Sequence, residues 1–282
     1  MTAEPRIRFT ATQSQRLREL GAGAQTAERL FASSDERDAH FKDCEGELVR
    51  SGRRHLADVR AGERAPQLLA LEQKLRQALI AAGFVQMVTP VIIGRDSLEK
   101  MGIDHAHPLR QQIFWLEDGR LLRPMLAPNL YTLMRRLGRI WSRPFGIFEI
   151  GPCFRRDSQG SHHLNEFTML NLVELGLPEE ACAARLTELA ALVMAAADIE
   201  DYELSRTRSE VYGEMVDVEV GGTEVCSAAS GPHPLDGNWG IVEPWVGLGF
   251  GLERLLAARE GYANIERAGR SLSYFDGVRL NI

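Results

Sequence analysis

Between residues 66 and 83 the apolar positions fall one helical turn apart. Leu68, Leu71, Leu75 and Leu79 form a stripe on a segment that Pro66 opens and Gly83 closes, which predicts a helix with one buried face. The same period returns behind Pro128, where Leu130, Leu133, Met134 and Leu137 are apolar, and along the Ala/Leu-rich segment from Pro178 to Ala197. Residues 10–58 also read as helical, with breaks expected at Gly21-Ala22-Gly23 and Ser51-Gly52. Elsewhere the pattern shortens to strands. Phe84 to Val88 closes on Pro90, Ile113 to Leu116 and Leu121 to Arg123 flank the turn pair Asp118-Gly119, and Met215 to Val220 and Glu224 to Ala228 flank Gly221-Gly222. Strands joined largely by hairpins, with helices between, predict an α+β fold: an antiparallel sheet flanked by helices.

One stretch combines both periods. In Gly247-Leu248-Gly249-Phe250-Gly251-Leu252-Glu253-Arg254-Leu255-Leu256, glycines at every second position run into an amphipathic segment with Arg254 in its first turn. Alternate glycines bare one face of a strand, so a flat group can lie against the backbone. An arginine over that face can stack by its guanidinium plane and reach phosphate oxygens with its fork. Taken alone, the run fits a nucleotide floor or a glycine-rich strand packed closely on a helix.

The strand Phe167-Thr168-Met169-Leu170-Asn171-Leu172-Val173 places Phe167, Met169, Asn171 and Val173 on one face by alternation. An asparagine on an otherwise apolar face needs a partner, either the backbone or a ligand.

Composition narrows the chemistry. The 282 residues, 44% hydrophobic, suffice for one sizeable core with a small appended subdomain. There is no apolar run of membrane-spanning length, and Met1-Thr2-Ala3-Glu4-Pro5-Arg6 has no apolar stretch behind it, so a cytoplasmic protein with no membrane partner is expected. Cys44, Cys153, Cys182 and Cys226 form no Cys-x-x-Cys pair, so reduced thiols are expected, and the histidines offer no metal-ligand spacing. The net charge of −6 argues against binding RNA over the whole surface, yet Arg50, Arg53, Arg54, Arg60 and Arg64 crowd one stretch, as a phosphate-contacting patch or a solvated helix face. Lysine occurs only at Lys42, Lys74 and Lys100. A P-loop or a Schiff base would need a lysine in the catalytic stretch. Triphosphate, if handled, is handled by arginine.

Three runs in order then resemble motifs 1, 2 and 3 of the class II aminoacyl-tRNA synthetases. They are Gly83 to Pro90; Phe148-Glu149-Ile150-Gly151-Pro152-Cys153-Phe154-Arg155-Arg156-Asp157 followed by His163 and Glu166 to Leu172; and Gly249 to Leu256. Leu122-Arg123-Pro124-Met125-Leu126-Ala127-Pro128-Asn129-Leu130-Tyr131 brings the resemblance closer, to the pyrrolysyl-tRNA synthetase family, from about residue 66 onward. Lysine-rich class I chemistry is excluded by the same lysine count.

The resemblance implies a homodimeric ligase that uses ATP and Mg²⁺ to activate pyrrolysine, an N6-acylated lysine, and passes it to a cognate amber-suppressor tRNA. It implies that Arg155 bridges the substrate carboxylate and the α-phosphate, that Arg254 and Phe167 enclose the adenine, and that Glu224 and Ser227 hold Mg²⁺. Asp157, His163, Leu164, Val225, Gly249 and Gly251 match further ATP-facing positions. Asn171 matches the reader of the side-chain amide, with Met125, Ala127, Leu130, Tyr131, Met134, Met169, Val173, Ala229, Trp245 and Gly247 around the pocket and Tyr212 as a covering residue. Val173 and Cys226 depart from a cysteine and a serine common in the family. A boundary is expected near residue 65, with residues 1–65 a helical tRNA-contacting segment and residues 66–282 catalytic. The resemblance further implies tRNA recognition through body and acceptor arm rather than anticodon, and either a separate protein supplying the family's N-terminal tRNA-binding domain or a short form that needs none. A non-catalytic amino-acid sensor would be expected to lose Arg155, Glu224 and Arg254, and a tRNA-independent ligase would not need the basic N-terminal helices.

Overall fold

A computed structural model describes residues 7–23, 26, 29–156, 164–209 and 213–282. The chain divides into two compact units, one of residues 1–67 with 262–282 and the other of residues 68–261. The C-terminal tail, counted above with the catalytic portion, thus groups with the N-terminal helices.

In the first unit, helix α1 (Ala11–Leu20) starts on a capping box, in which the Thr10 side chain accepts from the Gln13 N–H and the Gln13 side chain accepts from the Thr10 N–H. Helix α2 (Ser34–Ala61) starts on Ser33 and ends on Gly62 at φ +76°. It runs unbroken through Ser51-Gly52, contrary to the expected break. Gly52 is there for space: a Cβ would lie 2.9 Å from Val278 Cγ1, so the glycine admits the C-terminal strands against the helix. Phe9, Leu17 and Phe31 form a small core. The short pair β10 (Tyr274–Phe275) and β11 (Val278–Arg279) is held near α2 by Asp276, which meets His55 Nε2 at 2.6 Å and accepts the Gln67 N–H at 2.6 Å.

The second unit is built on a seven-stranded sheet of order β1-β4-β5-β9-β8-β7-β6. Its strands are β1 (Val85–Gln86), β4 (Phe145–Phe154), β5 (Glu166–Leu175), β6 (Glu203–Ser209), β7 (Gly213–Val220), β8 (Thr223–Gly231) and β9 (Trp245–Gly251). All neighbours are antiparallel except β1 and β4, so the sheet is mixed, with one parallel pair at its edge. The expected strand from Phe84 to Val88 shortens to the two residues of β1. The expected hairpin at Asp118-Gly119 forms as a bridge between Trp115 and Leu121 beside β3 (Arg120–Leu122), which pairs instead with β2 (Ile92–Gly94).

Helix α3 (Gln67–Ala81) buries Leu71, Leu75 and Leu79, the stripe read from the sequence. Helix α4 (Arg95–Lys100) follows β2. Leu170, Leu172, Leu248 and Phe250 form one buried face of the sheet, against which α6 (Cys182–Ala196) and α8 (Leu252–Glu260) pack. On the other face, α5 (Ala127–Leu137) and α7 (Asp236–Trp239) cover one end. The remaining strip of that face stays half-open. No helix among the described residues is long and apolar enough to cross a membrane.

Candidate active site

Strand register assembles the half-open strip. Glu149 on β4 faces Asn171 on β5, Asn171 faces Gly249 on β9, Gly249 faces Ser227 on β8, and Ser227 faces Asp217 on β7. Directly paired residues share a face, so this single row runs across five strands. One step along, Gly151, Met169 and Gly251 make a second row; one step back, Ile147, Val173, Gly247 and Ala229 make a third. The middle of the strip is therefore a glycine floor, as the spacing in β9 predicts.

Arg254 opens α8 over this floor. The nearest side-chain atom to a Cβ built on Gly251 is Arg254 Cδ, at 3.6 Å. The Arg254 Nη1 donates to the Glu224 carbonyl at 3.1 Å and lies 3.5 Å from its carboxylate. Arg155, just beyond β4, donates from Nε to the Pro124 carbonyl at 2.9 Å and stands 5.4 Å from the centroid of the Phe167 ring. Two arginines thus flank the strip, each hydrogen-bonded to a backbone carbonyl.

Glu224 and Ser227 are three residues apart, an odd spacing that would put them on opposite faces of a regular strand. The register shifts between Val218 and Glu219, so that Asp217 faces Ser227 while Glu219 faces Glu224. This bulge turns Glu224 onto the face of Ser227, and Val225, the extra residue, is buried. Ser227 Oγ lies 2.8 Å from Asp217 Oδ1 and 3.1 Å from Glu224 Oε1. Burial pushes the Asp217 carboxyl above its ordinary range, and the nearby charges of Glu224 and Glu219 add to this against the Ser227 hydrogen bond. These hard oxygens suit Mg²⁺. Among the described residues no group of three or more His, Cys, Asp or Glu is arranged to hold an ion, and Mg²⁺ that arrives with a triphosphate needs only one or two protein ligands.

The apolar end is one cluster. Met125, Leu130, Tyr131, Met134, Val173, Ala229 and Trp245 are buried together, with Ala127 and Met169 packed against them. The Asn171 side-chain oxygen faces this region buried and with no protein partner. Deeper in, Asp236 gathers three donors: Tyr131 Oη at 3.0 Å, Trp245 Nε1 at 2.9 Å and the His233 N–H at 2.7 Å. Trp239 stacks on Tyr131 at 5.3 Å between centroids. A Cβ on Gly231 would lie 2.0 Å from Trp245 Nε1, so the indole takes the place of a side chain there.

Asp236, Asp217 and the buried pair Arg123–Glu149 do not figure among the sequence-predicted site residues. Arg123 Nη1 meets Glu149 Oε1 at 2.7 Å, and Thr89 and the Pro152 carbonyl complete the network. The alternation of Asp217 and Glu219 with Val216, Val218 and Val220 is a signal for the acidic side of β7. Nothing local marks Asp236. Leu164 is half-buried two residues ahead of β5, whereas Asp157, His163 and Tyr212 lie outside the described residues. Burial pushes the Cys153 thiol up to about 12 and that of Cys226 well above its ordinary value, so neither is a thiolate nucleophile.

A family model for the phenylalanyl-tRNA synthetase beta chain CLM domain matches residues 55–230, more than half of the chain. A crystal structure of pyrrolysyl-tRNA synthetase from Desulfitobacterium hafniense is 53% identical, covers 98% of this chain and 99% of its own, and superposes with a TM-score of 0.92. Another structure of a pyrrolysyl-tRNA synthetase from that organism is 52% identical over 98% of each chain, with a TM-score of 0.91. A Giardia lamblia prolyl-tRNA synthetase in complex with prolyl-adenylate shares the fold alone, at 15% identity and a TM-score of 0.57 over 67% of this chain and 44% of its own. A threonine–tRNA ligase from Wolbachia sp. subsp. Brugia malayi is 28% identical over 98 residues, 33% of this chain; the match spans only 15% of that relative's length. The chain belongs to the class II aminoacyl-tRNA synthetases, which are ligases, and among them to the pyrrolysyl-tRNA synthetases.

Proposed function

We propose that this chain activates pyrrolysine with ATP and transfers it to the 3′ end of a cognate amber-suppressor tRNA. The observation that carries the reading is the Asn171 side-chain oxygen, buried and unpaired beside a glycine floor and an apolar cluster. An unpaired buried amide oxygen is costly. A bulky, amide-tipped side chain pairs with that group, since either end of an asparagine amide can be turned to a ligand. Free lysine would have to leave its ammonium unsolvated among Met125, Leu130 and Val173.

In the first half-reaction the amino-acid carboxylate attacks the α-phosphorus and pyrophosphate leaves. Charge grows on the phosphoryl oxygens, and catalysis is mostly positioning and countercharge. In this reading Arg155 bridges carboxylate and α-phosphate, and Arg254 and Phe167 enclose the adenine above Gly249 and Gly251. Asp157, His163, Leu164 and the Val225 backbone complete the nucleotide contacts, and Tyr212 covers the amino acid. Glu224 and Ser227 would hold Mg²⁺, which would supply charge neutralisation to the leaving pyrophosphate. In the second half-reaction a terminal ribose hydroxyl of tRNA attacks the adenylate carbonyl and AMP departs. Pyrrolysine-dependent exchange of pyrophosphate into ATP tests the first half; exchange that lysine supports equally well would overturn the reading.

The working unit is a homodimer. Val85 and Val88, at 46% and 92% exposure, are exposed apolar residues on the run that resembles motif 1, which suits self-complementary pairing. Light scattering at micromolar concentration is expected to give two copies, and a stable monomer would contradict this. Arg50, Arg53, Arg54, Arg60 and Arg64 are all exposed, and the four on α2 share one side of it. They serve phosphate contacts that fix the register of tRNA without reading bases. Removing several should weaken tRNA binding and flatten its salt dependence; an unchanged salt slope would exclude the patch. A separate N-terminal-domain protein is a further candidate partner, tested by whether its addition raises tRNA affinity.

A further inference from the structure

We propose that Asp217 is a positioning residue that fixes the hydroxyl proton of Ser227 and so turns that oxygen into a cation ligand. The inference rests on the reading of Glu224 and Ser227 as the residues that hold Mg²⁺. A serine hydroxyl has one hydrogen and two lone pairs, yet Ser227 Oγ lies within hydrogen-bond reach of two carboxylates, Asp217 at 2.8 Å and Glu224 at 3.1 Å. It can donate to only one. Asp217 is the shorter contact and is fixed in strand register opposite Ser227. Glu224 is the more exposed carboxylate and stands on the bulge.

With the proton on the Asp217 side, the lone pairs of Ser227 Oγ are turned toward Glu224 Oε1. Two oxygens that face each other with lone pairs repel unless a positive group lies against both, and hard cations take such oxygen pairs. The Arg254 guanidinium, 3.5 Å from the Glu224 carboxylate, supplies part of that charge when no cation is bound. Glu219 on β7, opposite Glu224, is taken up by another donor, its carboxylate accepting from Ser205. Asp217 therefore needs no contact with the ion or the nucleotide to matter. Without its acceptor the Ser227 hydroxyl would turn its hydrogen to Glu224 and withdraw a lone pair from the ion.

The test is Mn²⁺ affinity, read by electron paramagnetic resonance of the free ion, for the whole protein saturated with α,β-methylene-ATP, so that no turnover is involved. Outer-shell partners of metal ligands typically cost ten- to a hundredfold in affinity when removed, so Asp217→Ala should weaken Mn²⁺ binding about tenfold or more. Asp217→Asn keeps the volume, and a side-chain oxygen that still accepts the hydroxyl proton, so it should recover most of the loss. It also keeps the test open if the alanine variant does not fold. If Ser227→Ala and Glu224→Gln lose Mn²⁺ while Asp217→Ala binds it within twofold of wild type, the inference fails and the site assignment stands. An asparagine variant as weak as alanine would mean that the charge acts rather than the proton placement, and would also overturn it. If Ser227→Ala and Glu224→Gln bind Mn²⁺ as wild type does, the site assignment itself falls.

Discussion

Asn171 and Gly249 face each other across β5 and β9, and a Cβ built on Gly249 would lie 3.1 Å from Asn171 Nδ2. The bare backbone at 249 thus serves two ends, a floor for a flat group and room for the amide that reads the amino acid. Gly249→Ala should displace that amide by a few tenths of an ångström and raise the floor by a methyl group. Small misplacements at reacting geometry are expensive. Pyrrolysine-dependent pyrophosphate exchange is expected to fall about tenfold or more with the fold intact by circular dichroism. Unchanged exchange would mean that nothing lies on the floor.

Asn171→Ala removes the amide and opens the pocket. Exchange with pyrrolysine-like substrates should fall, and bulky aromatic amino acids should begin to support it. A site built around a hydrogen bond discriminates strongly against ligands that lack the partner. A variant with the original preference and rate would make Asn171 a structural residue.

Arg155→Ala and Arg254→Ala should each reduce exchange about a hundredfold or more, the scale seen when a charge-stabilising donor is removed. Lysine should rescue either poorly, because a point charge replaces neither a bidentate fork nor a stacked plane. Near-normal exchange by both alanine variants would remove the nucleotide site from this strip.

Arg123 and Glu149 are both buried and bonded at 2.7 Å. Breaking such a pair from one side leaves a buried charge uncompensated, at a cost of about 3–5 kcal/mol. Arg123→Ala should lower the unfolding free energy by that amount in a urea titration and disorder the wall beside Gly151, whose missing side chain makes room for the Arg123 guanidinium. A loss below about 1 kcal/mol would place the pair among the weak, solvent-screened ones.

The elements legible in the sequence are those whose signal is local. The Leu71, Leu75 and Leu79 stripe, the Gly221-Gly222 turn and the alternate glycines of β9 each state their own period. The features that escaped depend on partners far along the chain. Gly52 reads as a break because glycine disfavours helix, yet it is needed where Val278 approaches α2. Family resemblance pairs Glu224 with Ser227; the bulge that puts them on one face is a relation between β7 and β8. Asp236 has no local mark, because a buried carboxylate is recognisable only by its donors, which come from α5, β9 and the loop ahead of α7. Strand β6 carries Arg206 and Arg208 among small polar residues and has no apolar period to announce it.

The measurement that bears most directly on the central claim is acylation of the cognate amber-suppressor tRNA, resolved on an acid gel, with pyrrolysine and with lysine at equal concentration. The account predicts ATP-dependent charging with pyrrolysine, no charging with lysine, and charging that persists when the anticodon triplet is replaced. Equal charging with lysine, or none with pyrrolysine although exchange proceeds, would contradict it.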